Sequence, residues 1–152
     1  MASPEERIVE IGFSLPSAPK PAGSYKPCVR SGTLLYISGM LPKKGDKIIS
    51  GRAGADISLE EAQEAASLAL LSALSVIKAE IGRLEKIKKI VRLAGYVRSA
   101  EGFLDQHKVI DGASGLLAKI FGEMGGHSRV SVGVSELPLG AVLEIELVVE
   151  VS

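Results

Sequence analysis

Apolar residues recur with two different periods along this chain of 152 residues. A period of three to four residues, which is typical of a helix with one buried face, runs from Leu59 to Gly82. Ser58 and Glu61 have the spacing of a capping box, in which each side chain bonds the backbone amide of the other residue. The pattern therefore predicts a helix that begins after Ser58, stops at Gly82 and lays an alanine-rich face on a sheet.

A second helix is predicted from Gln106 to about Met124, where a helical period returns before two glycines end it. Near the amino terminus, residues 5–11 fit either a short helix or a strand. Prolines and small residues then indicate an irregular lead-in that covers residues 1–22 and continues to about Pro27.

Shorter segments with apolar–polar alternation or short apolar runs indicate strands. Residues 28–30 and 33–39 flank a Ser31-Gly32 turn and are predicted to form a hairpin. A third strand is predicted from Ile87 to Val97. Residues 43–55 are polar and contain glycines, which predicts a loop.

The last two strands are predicted at residues 129–135 and 143–151, on either side of a turn at residues 137–140. Side chains two apart in a strand share a face, so each segment has one apolar and one mostly polar side. If the apolar sides meet, the two strands pair as an antiparallel hairpin with Val132 opposite Ile145.

That register would place Arg129 and Ser131 on the face that carries Glu144 and Glu146. Two interpretations follow. Arg129 could pair with a glutamate across the ladder, as charged residues do on exposed strands. Alternatively, its small neighbours leave space beside the guanidinium, whose planar fork suits a carboxylate ligand, while a nearby carboxylate holds a water molecule.

The order strand, strand, helix, strand, helix, strand, strand predicts an α+β fold in which two helices cover one face of a mixed sheet. The length favours a single domain over residues 1–152. The other face of the sheet needs a cover, and in so short a chain we expect a second copy of the same protein.

Composition disfavours several classes of partner and cofactor. The 18 basic and 18 acidic residues cancel, which disfavours nucleic acid as a partner. Two histidines twenty residues apart form no metal motif, so no metal or cofactor is expected. We expect a cytoplasmic protein without a membrane segment, because Cys28 is the only cysteine and no long apolar run occurs.

Several motifs together resemble the reactive-intermediate deaminase family, also called YjgF-like or endoribonuclease L-PSP-like. Arg129, the Leu-Pro step at residues 137–138 and the Leu-Glu-Ile-Glu run at residues 143–146 resemble its C-terminal signature. Tyr25 also matches, and the Ser-Gly-Met-Leu-Pro segment at residues 38–42 is similar to the family's Ser-Gly-Gln-x-Pro. The resemblance covers nearly the whole chain.

The resemblance implies a chorismate-mutase-like α+β fold and a homotrimer with ligand clefts between subunits. It implies that Arg129 grips the carboxylate of a small substrate and that Glu144 orients the water that attacks an imine carbon. Tyr25 would close the cleft from a neighbouring subunit. Gly39 is a further candidate substrate-binding residue.

Two positions depart from the family pattern. Ser131 stands where the family often has cysteine, and Asp111 stands where asparagine is usual. Both remain candidate substrate-binding residues, and the negative charge of Asp111 would repel a second carboxylate. Residues 43–55 and the run at residues 106–114 are similar to a longer, putative-endoribonuclease branch of the family.

We therefore expect a deaminase that hydrolyses small 2-imino or enamino carboxylates to a 2-keto acid and ammonia. A trimeric protein that binds or senses a small carboxylate without turnover is the first alternative. An endoribonuclease is the second, and the balanced charge disfavours it.

Overall fold

The computed structural model describes all 152 residues. Its α-helices are α1 (Pro4–Glu10), α2 (Leu59–Ile81) and α3 (Gln106–Phe121). Its strands are β1 (Cys28–Ser31), β2 (Leu34–Met40), β3 (Lys43–Lys44), β4 (Lys47–Ile48), β5 (Ile87–Arg98), β6 (Ser128–Val134) and β7 (Leu143–Val151). None of the helices combines the length and the apolar character that spanning a membrane requires.

Five strands form one mixed sheet in the order β1-β2-β7-β5-β6. Only β5 and β6 are parallel, and α3 connects them as a helical crossover does. Helices α2 and α3 pack against the same face of this sheet. The predicted α+β class and the β1–β2 hairpin are confirmed, whereas β3 and β4 form a small hairpin within the segment expected to be a loop.

The core lies between the sheet and α2, which begins with the predicted capping box of Ser58 and Glu61. Five alanines of α2 are fully buried, and they let the helix lie close to its neighbours in the core: Ala62, Ala65, Ala66, Ala69 and Ala73. Leu35, Leu93 and Leu147 meet them from the sheet and are also buried. Burying one such leucine contributes about 1.5–3 kcal/mol to stability.

The predicted hairpin of β6 and β7 is wrong. Strand β6 lies at the edge of the sheet beside β5, while β7 lies in the centre between β2 and β5. The physical reason is burial: five residues on one face of β7 are buried, whereas the corresponding face of β6 carries an arginine, a serine and a glycine. A strand–helix–strand pattern favours parallel neighbours, and that signal outweighs a local turn.

This topology separates two residues that the hairpin would have brought together. Arg129 is level with Leu93 of β5, whose buried side chain faces the helices. Glu144 is level with Tyr96 on the other face of β5. Arg129 therefore lies on the helix side of the sheet, and Glu144 lies on the outer side.

Helices α2 and α3 touch at Gly112. A Cβ atom at this position would overlap the carbonyl oxygen of Gln63 and lie 2.9 Å from its Cα. Because the obstacle is backbone rather than a flexible side chain, α2 and α3 could not keep this contact with a larger residue at position 112. Gly115, one turn further along α3, has nothing within 4 Å of the same added atom.

Gly112→Ala should lower the free energy of unfolding by about 1–3 kcal/mol, because the added methyl group forces the two helices apart. Gly115→Ala is the matched control and should stabilise the protein by roughly 0.5–1 kcal/mol, as alanine does at an open helical position. Urea denaturation followed by circular dichroism measures both. Equal effects of the two substitutions would contradict the close contact.

Candidate functional site

Arg129 is held by α3. Its Nη1 donates to Asp111 Oδ1 at 2.7 Å and to Ser114 Oγ at 3.1 Å, and its Nη2 donates to the carbonyl oxygen of His107 at 3.2 Å. His107, Asp111 and Ser114 are spaced four and three residues apart and so share one helical face. Arg129 therefore pairs with a carboxylate of the helix rather than of the strands, and its guanidinium is not surrounded by open space.

His127 extends this group, which we call the Arg129 cluster (Asp111, Ser114, His127 and Arg129). Its Nε2 lies 2.8 Å from Ser114 Oγ, and its Nδ1 lies 2.6 Å from the carbonyl oxygen of Gly125. The cluster thus contains a cation, a carboxylate, a hydroxyl and an imidazole at the open edge of the sheet.

Ser131 lies two residues beyond Arg129, on the same side of β6. Its Oγ is buried and has no hydrogen-bond partner. A buried hydroxyl in this state costs about 1–3 kcal/mol unless a ligand or a water molecule satisfies it. Ser131 is therefore an available polar group on the strand that carries Arg129.

Three other candidate residues share a cavity of about 590 Å³, which we call the Glu144 cavity: Tyr25, Gly39 and Glu144. The cavity lies among the irregular lead-in, the end of β2 and the turn before β7, and most of its other walls are apolar. Ser72 of α2 also lines it and is almost fully buried.

The carboxylate of Glu144 lies directly against Gly39. A methyl group at Gly39 would lie 2.7 Å from Oε2 of Glu144, so the carboxylate occupies the space that any side chain would need. Burial raises the pKa of Glu144 above that of an ordinary glutamate, and the negative charge of Glu146 raises it further. Glu144 therefore binds a proton more readily than an exposed carboxylate does.

Glu146 lies beside it on the outer face of β7. The hydroxyl of Tyr96 donates to Glu146 Oε1 at 2.9 Å. This hydrogen bond to a carboxylate is the main reason why the pKa of Tyr96 is raised. Glu146 has a partner within the chain, whereas no hydrogen bond or ion pair within the chain holds the carboxylate of Glu144.

Ion pairs hold the segment that leads into the turn before β7. Glu136 bonds Arg52 and also lies 3.2 Å from Arg98 Nη2, and the hydrogen bond from Arg52 is the main cause of its lowered pKa. The turn that follows, Pro138–Gly140, places Leu139 in the left-handed region with φ 59° and exposes its side chain at the cavity mouth. The pairs tie this turn to the body of the protein.

The candidate residues thus fall into two groups within the chain. Tyr25, Gly39 and Glu144 line one cavity, whereas Asp111, Arg129 and Ser131 lie on the helix side of the sheet at its β6 edge. The structure does not bring Arg129 and Glu144 together.

Sequence reasoning missed two members of the Arg129 cluster, Ser114 and His127. It also missed the ion pair of Arg52 with Glu136, which precedes the turn before β7. The helical spacing of Asp111 and Ser114 would have shown that both face the same neighbour. Arg52 and Glu136 are 84 residues apart, and no local pattern connects them.

Neither the histidines nor the cysteine forms a separate reactive centre. No group of three or more His, Cys, Asp or Glu side chains is placed to hold a metal ion. Cys28 is buried, and burial together with the charge of Glu80 raises its thiol pKa. A raised pKa lowers the fraction of reactive thiolate, so Cys28 is a poor nucleophile.

Comparison with known proteins gives consistent matches along nearly the whole chain. The model of a family described as YjgF/chorismate mutase-like, putative endoribonuclease, matches residues 5–151. Protein TCP17 of Trypanosoma cruzi is 39% identical over 147 residues, which cover 95% of this chain and 92% of that protein.

Two crystal structures are also similar. One is a putative endoribonuclease from Shewanella oneidensis MR-1, with 36% identity, a TM-score of 0.96 and coverage of 99% of this chain and 100% of that one. The other is Atu1372 of Agrobacterium tumefaciens, a protein of unknown function, with 42% identity, a TM-score of 0.90 and coverage of 97% and 91%.

Glu146→Gln should lower the pKa of Glu144 toward that of an ordinary glutamate, because a neighbouring negative charge disfavours ionisation. An NMR titration of the side-chain carboxyl carbons measures this shift. Glu150→Gln, on the same face of β7, is the control and should leave the titration of Glu144 in place. An unshifted Glu144 in the Glu146→Gln protein would contradict the coupling of the two carboxylates.

Proposed function

Since this chain belongs to the YjgF/chorismate mutase-like, putative endoribonuclease family, we propose that it is a hydrolytic deaminase of small 2-imino or enamino carboxylates. One observation carries the proposal. The guanidinium of Arg129 and the carboxylate of Glu144, whose pKa is raised, lie on opposite faces of one sheet. Each has hydrogen-bonding atoms that no other group of the chain uses. A ligand that touches both must therefore lie between two copies.

The proposed assembly is a homotrimer with three such clefts. The outer face of the sheet supports it, because Val29, Tyr36 and Val132 are exposed there with 51%, 48% and 38% of their surface accessible. Burying apolar groups of this kind is a common basis for association between subunits. In each cleft, Tyr25 and Glu144 of one subunit would face the Arg129 of its neighbour.

The proposed reaction adds water to a carbon–nitrogen double bond. Water attacks C2 of the imine, the nitrogen gains a proton, and the C2–N bond then breaks to release ammonia and leave a 2-keto acid. An enamine first gains a proton at carbon and becomes the iminium ion, which is the protonated form of the imine. Because an iminium carbon is already electrophilic, orientation of water and substrate supplies most of what catalysis needs.

Each group has a distinct role in this proposal. Arg129 binds the substrate carboxylate through the guanidinium N–H groups that α3 does not use. Glu144 accepts a proton from the attacking water and returns it to the departing nitrogen, a role that its raised pKa favours near neutral pH. Tyr25 closes the cleft, and Gly39 leaves room for the Glu144 carboxylate.

A second candidate function is the binding of a small carboxylate without turnover. The Arg129 cluster favours it, because an ordered guanidinium can bind a carboxylate without Glu144, which lies on the other face of the sheet. Release of ammonia and pyruvate from freshly generated 2-iminopropanoate separates the two functions. Binding of pyruvate without any acceleration of hydrolysis would establish the binding protein and refute the deaminase.

Glu144→Gln should reduce the rate of 2-iminopropanoate hydrolysis by at least about a hundredfold, because the amide cannot accept a proton from water. The rate is measured as ammonia released beyond the spontaneous reaction. Glu150→Gln removes a carboxylate from the same strand and face and should retain the wild-type rate. Undiminished activity in Glu144→Gln would refute the proposed role of this residue.

Mixed trimers test the shared cleft. Glu144→Gln and Arg129→Ala should each be inactive alone, but every trimer that contains both kinds of subunit should have about one cleft in three with both wild-type groups. Co-expression with two affinity tags isolates such trimers. A mixture of Arg129→Ala with the Arg129→Ala/Glu144→Gln double variant is the control and should stay inactive. Mixed trimers without recovered activity would contradict a cleft formed between subunits.

A further inference from the structure

Hydrogen-bond direction can be assigned in the Arg129 cluster. A carbonyl oxygen only accepts, so the hydrogen of the neutral His127 ring lies on Nδ1, 2.6 Å from the oxygen of Gly125. Nε2 is then an acceptor, and the hydroxyl of Ser114 donates to it across 2.8 Å. With its hydrogen committed to His127, Ser114 presents only lone pairs to Arg129, whose Nη1 donates to it at 3.1 Å.

This arrangement differs from what helical serines usually do. A serine inside a helix commonly donates back to the carbonyl four residues earlier. Ser67 and Ser75 of α2 do so, to Gln63 and Leu71 respectively. Ser114 of α3 makes no such bond and instead connects two side chains from outside its helix.

The consequence is a guanidinium with a fixed orientation. Nη1 is shared between Asp111 and Ser114, and Nη2 donates to the carbonyl oxygen of His107. Three of the five N–H groups are thereby used. The Nε–H donates to no group of the chain, and the remaining Nη2 hydrogen is likewise without an acceptor.

We propose that Ser114 and His127 are positioning residues, which hold Arg129 so that its unused N–H groups receive the ligand carboxylate. This inference rests on the proposed function, in which Arg129 is the carboxylate anchor. Since Arg129 rotates about several bonds, an ordered guanidinium binds its ligand with a smaller loss of conformational entropy. Neither Ser114 nor His127 takes part in proton transfer to the substrate.

The test compares binding with turnover. Ser114→Ala and His127→Ala should each raise the KM for 2-iminopropanoate about tenfold, since a misplaced anchor weakens the hold on the substrate. The Kd of pyruvate, measured by calorimetry near neutral pH, should rise by a similar factor. The kcat should change little, because Glu144 belongs to the other half of the proposed cleft.

Three further variants separate positioning from a general loss of structure. Ser114→Thr keeps the hydroxyl and should restore both constants. Ser75→Ala removes a helical hydroxyl of α2 that bonds the carbonyl oxygens of Leu71 and Pro16 rather than α3, and it should leave both constants unchanged. In an Arg129→Ala background, Ser114→Ala should have no further effect on pyruvate binding, because the two changes act through one group.

Two results would overturn the inference. The first is an unchanged KM and pyruvate Kd in Ser114→Ala and His127→Ala, and the second is a fall in kcat at constant KM. If Ser114→Ala lowers the melting temperature, His127→Gln serves as the second variant. Its side-chain oxygen still accepts a hydrogen bond from Ser114, so the KM and the pyruvate Kd should stay near their wild-type values.

If the proposed function is wrong, this is seen in the wild-type protein rather than in the variants. A wild-type protein that binds pyruvate but hydrolyses no imine refutes the deaminase, and the pyruvate Kd of the variants still tests the positioning residues. A wild-type protein that binds no pyruvate refutes Arg129 as a carboxylate anchor and, with it, the role of Ser114 and His127.

Discussion

The contact between α2 and α3 at Gly112 is the constraint on which the Arg129 cluster depends. Because the backbone of Gln63 occupies the place where a Cβ at position 112 would stand, α2 and α3 pack in direct backbone contact. In this packing, the face of α3 that carries Asp111 and Ser114 lies toward Arg129 of β6. A shift of α3 would move all the contacts that α3 makes with Arg129 together. The packing of two helices therefore sets the geometry of the Arg129 cluster, which lies outside the hydrophobic core.

Asp111 and Glu144, two acidic residues of the candidate site, lie in different environments. Asp111 is exposed, and its carboxylate lies 2.7 Å from the guanidinium of Arg129. Glu144 is half-buried and lies next to another carboxylate, so its charge is disfavoured and its pKa rises. Asp111 is thus an ion-pair partner of Arg129, whereas the carboxylate of Glu144 has no partner within the chain.

Local pattern was enough to predict both long helices, the capping box at Ser58 and the first hairpin, because each depends on spacing within a few turns or residues. It was not enough to place β6. The alternation of Val130, Val132 and Val134 shows only that one face is apolar, and it does not say which layer that face meets. In the folded protein these valines lie on the outer face of the sheet, and the crossover through α3 places β6 parallel to β5. The partner of Arg129 was missed for the same reason, since it lies on a helix rather than on the next strand.

Placing Arg129 and Glu144 on opposite faces of the sheet has a thermodynamic consequence. A small molecule held by both groups would belong to two copies of the chain at once. Its binding free energy and that of subunit association would then be linked, so that each increases the other by mass action. Such a ligand would tighten the oligomer that surrounds it, and dilution of the protein would weaken apparent ligand affinity even though no contact within a subunit had changed.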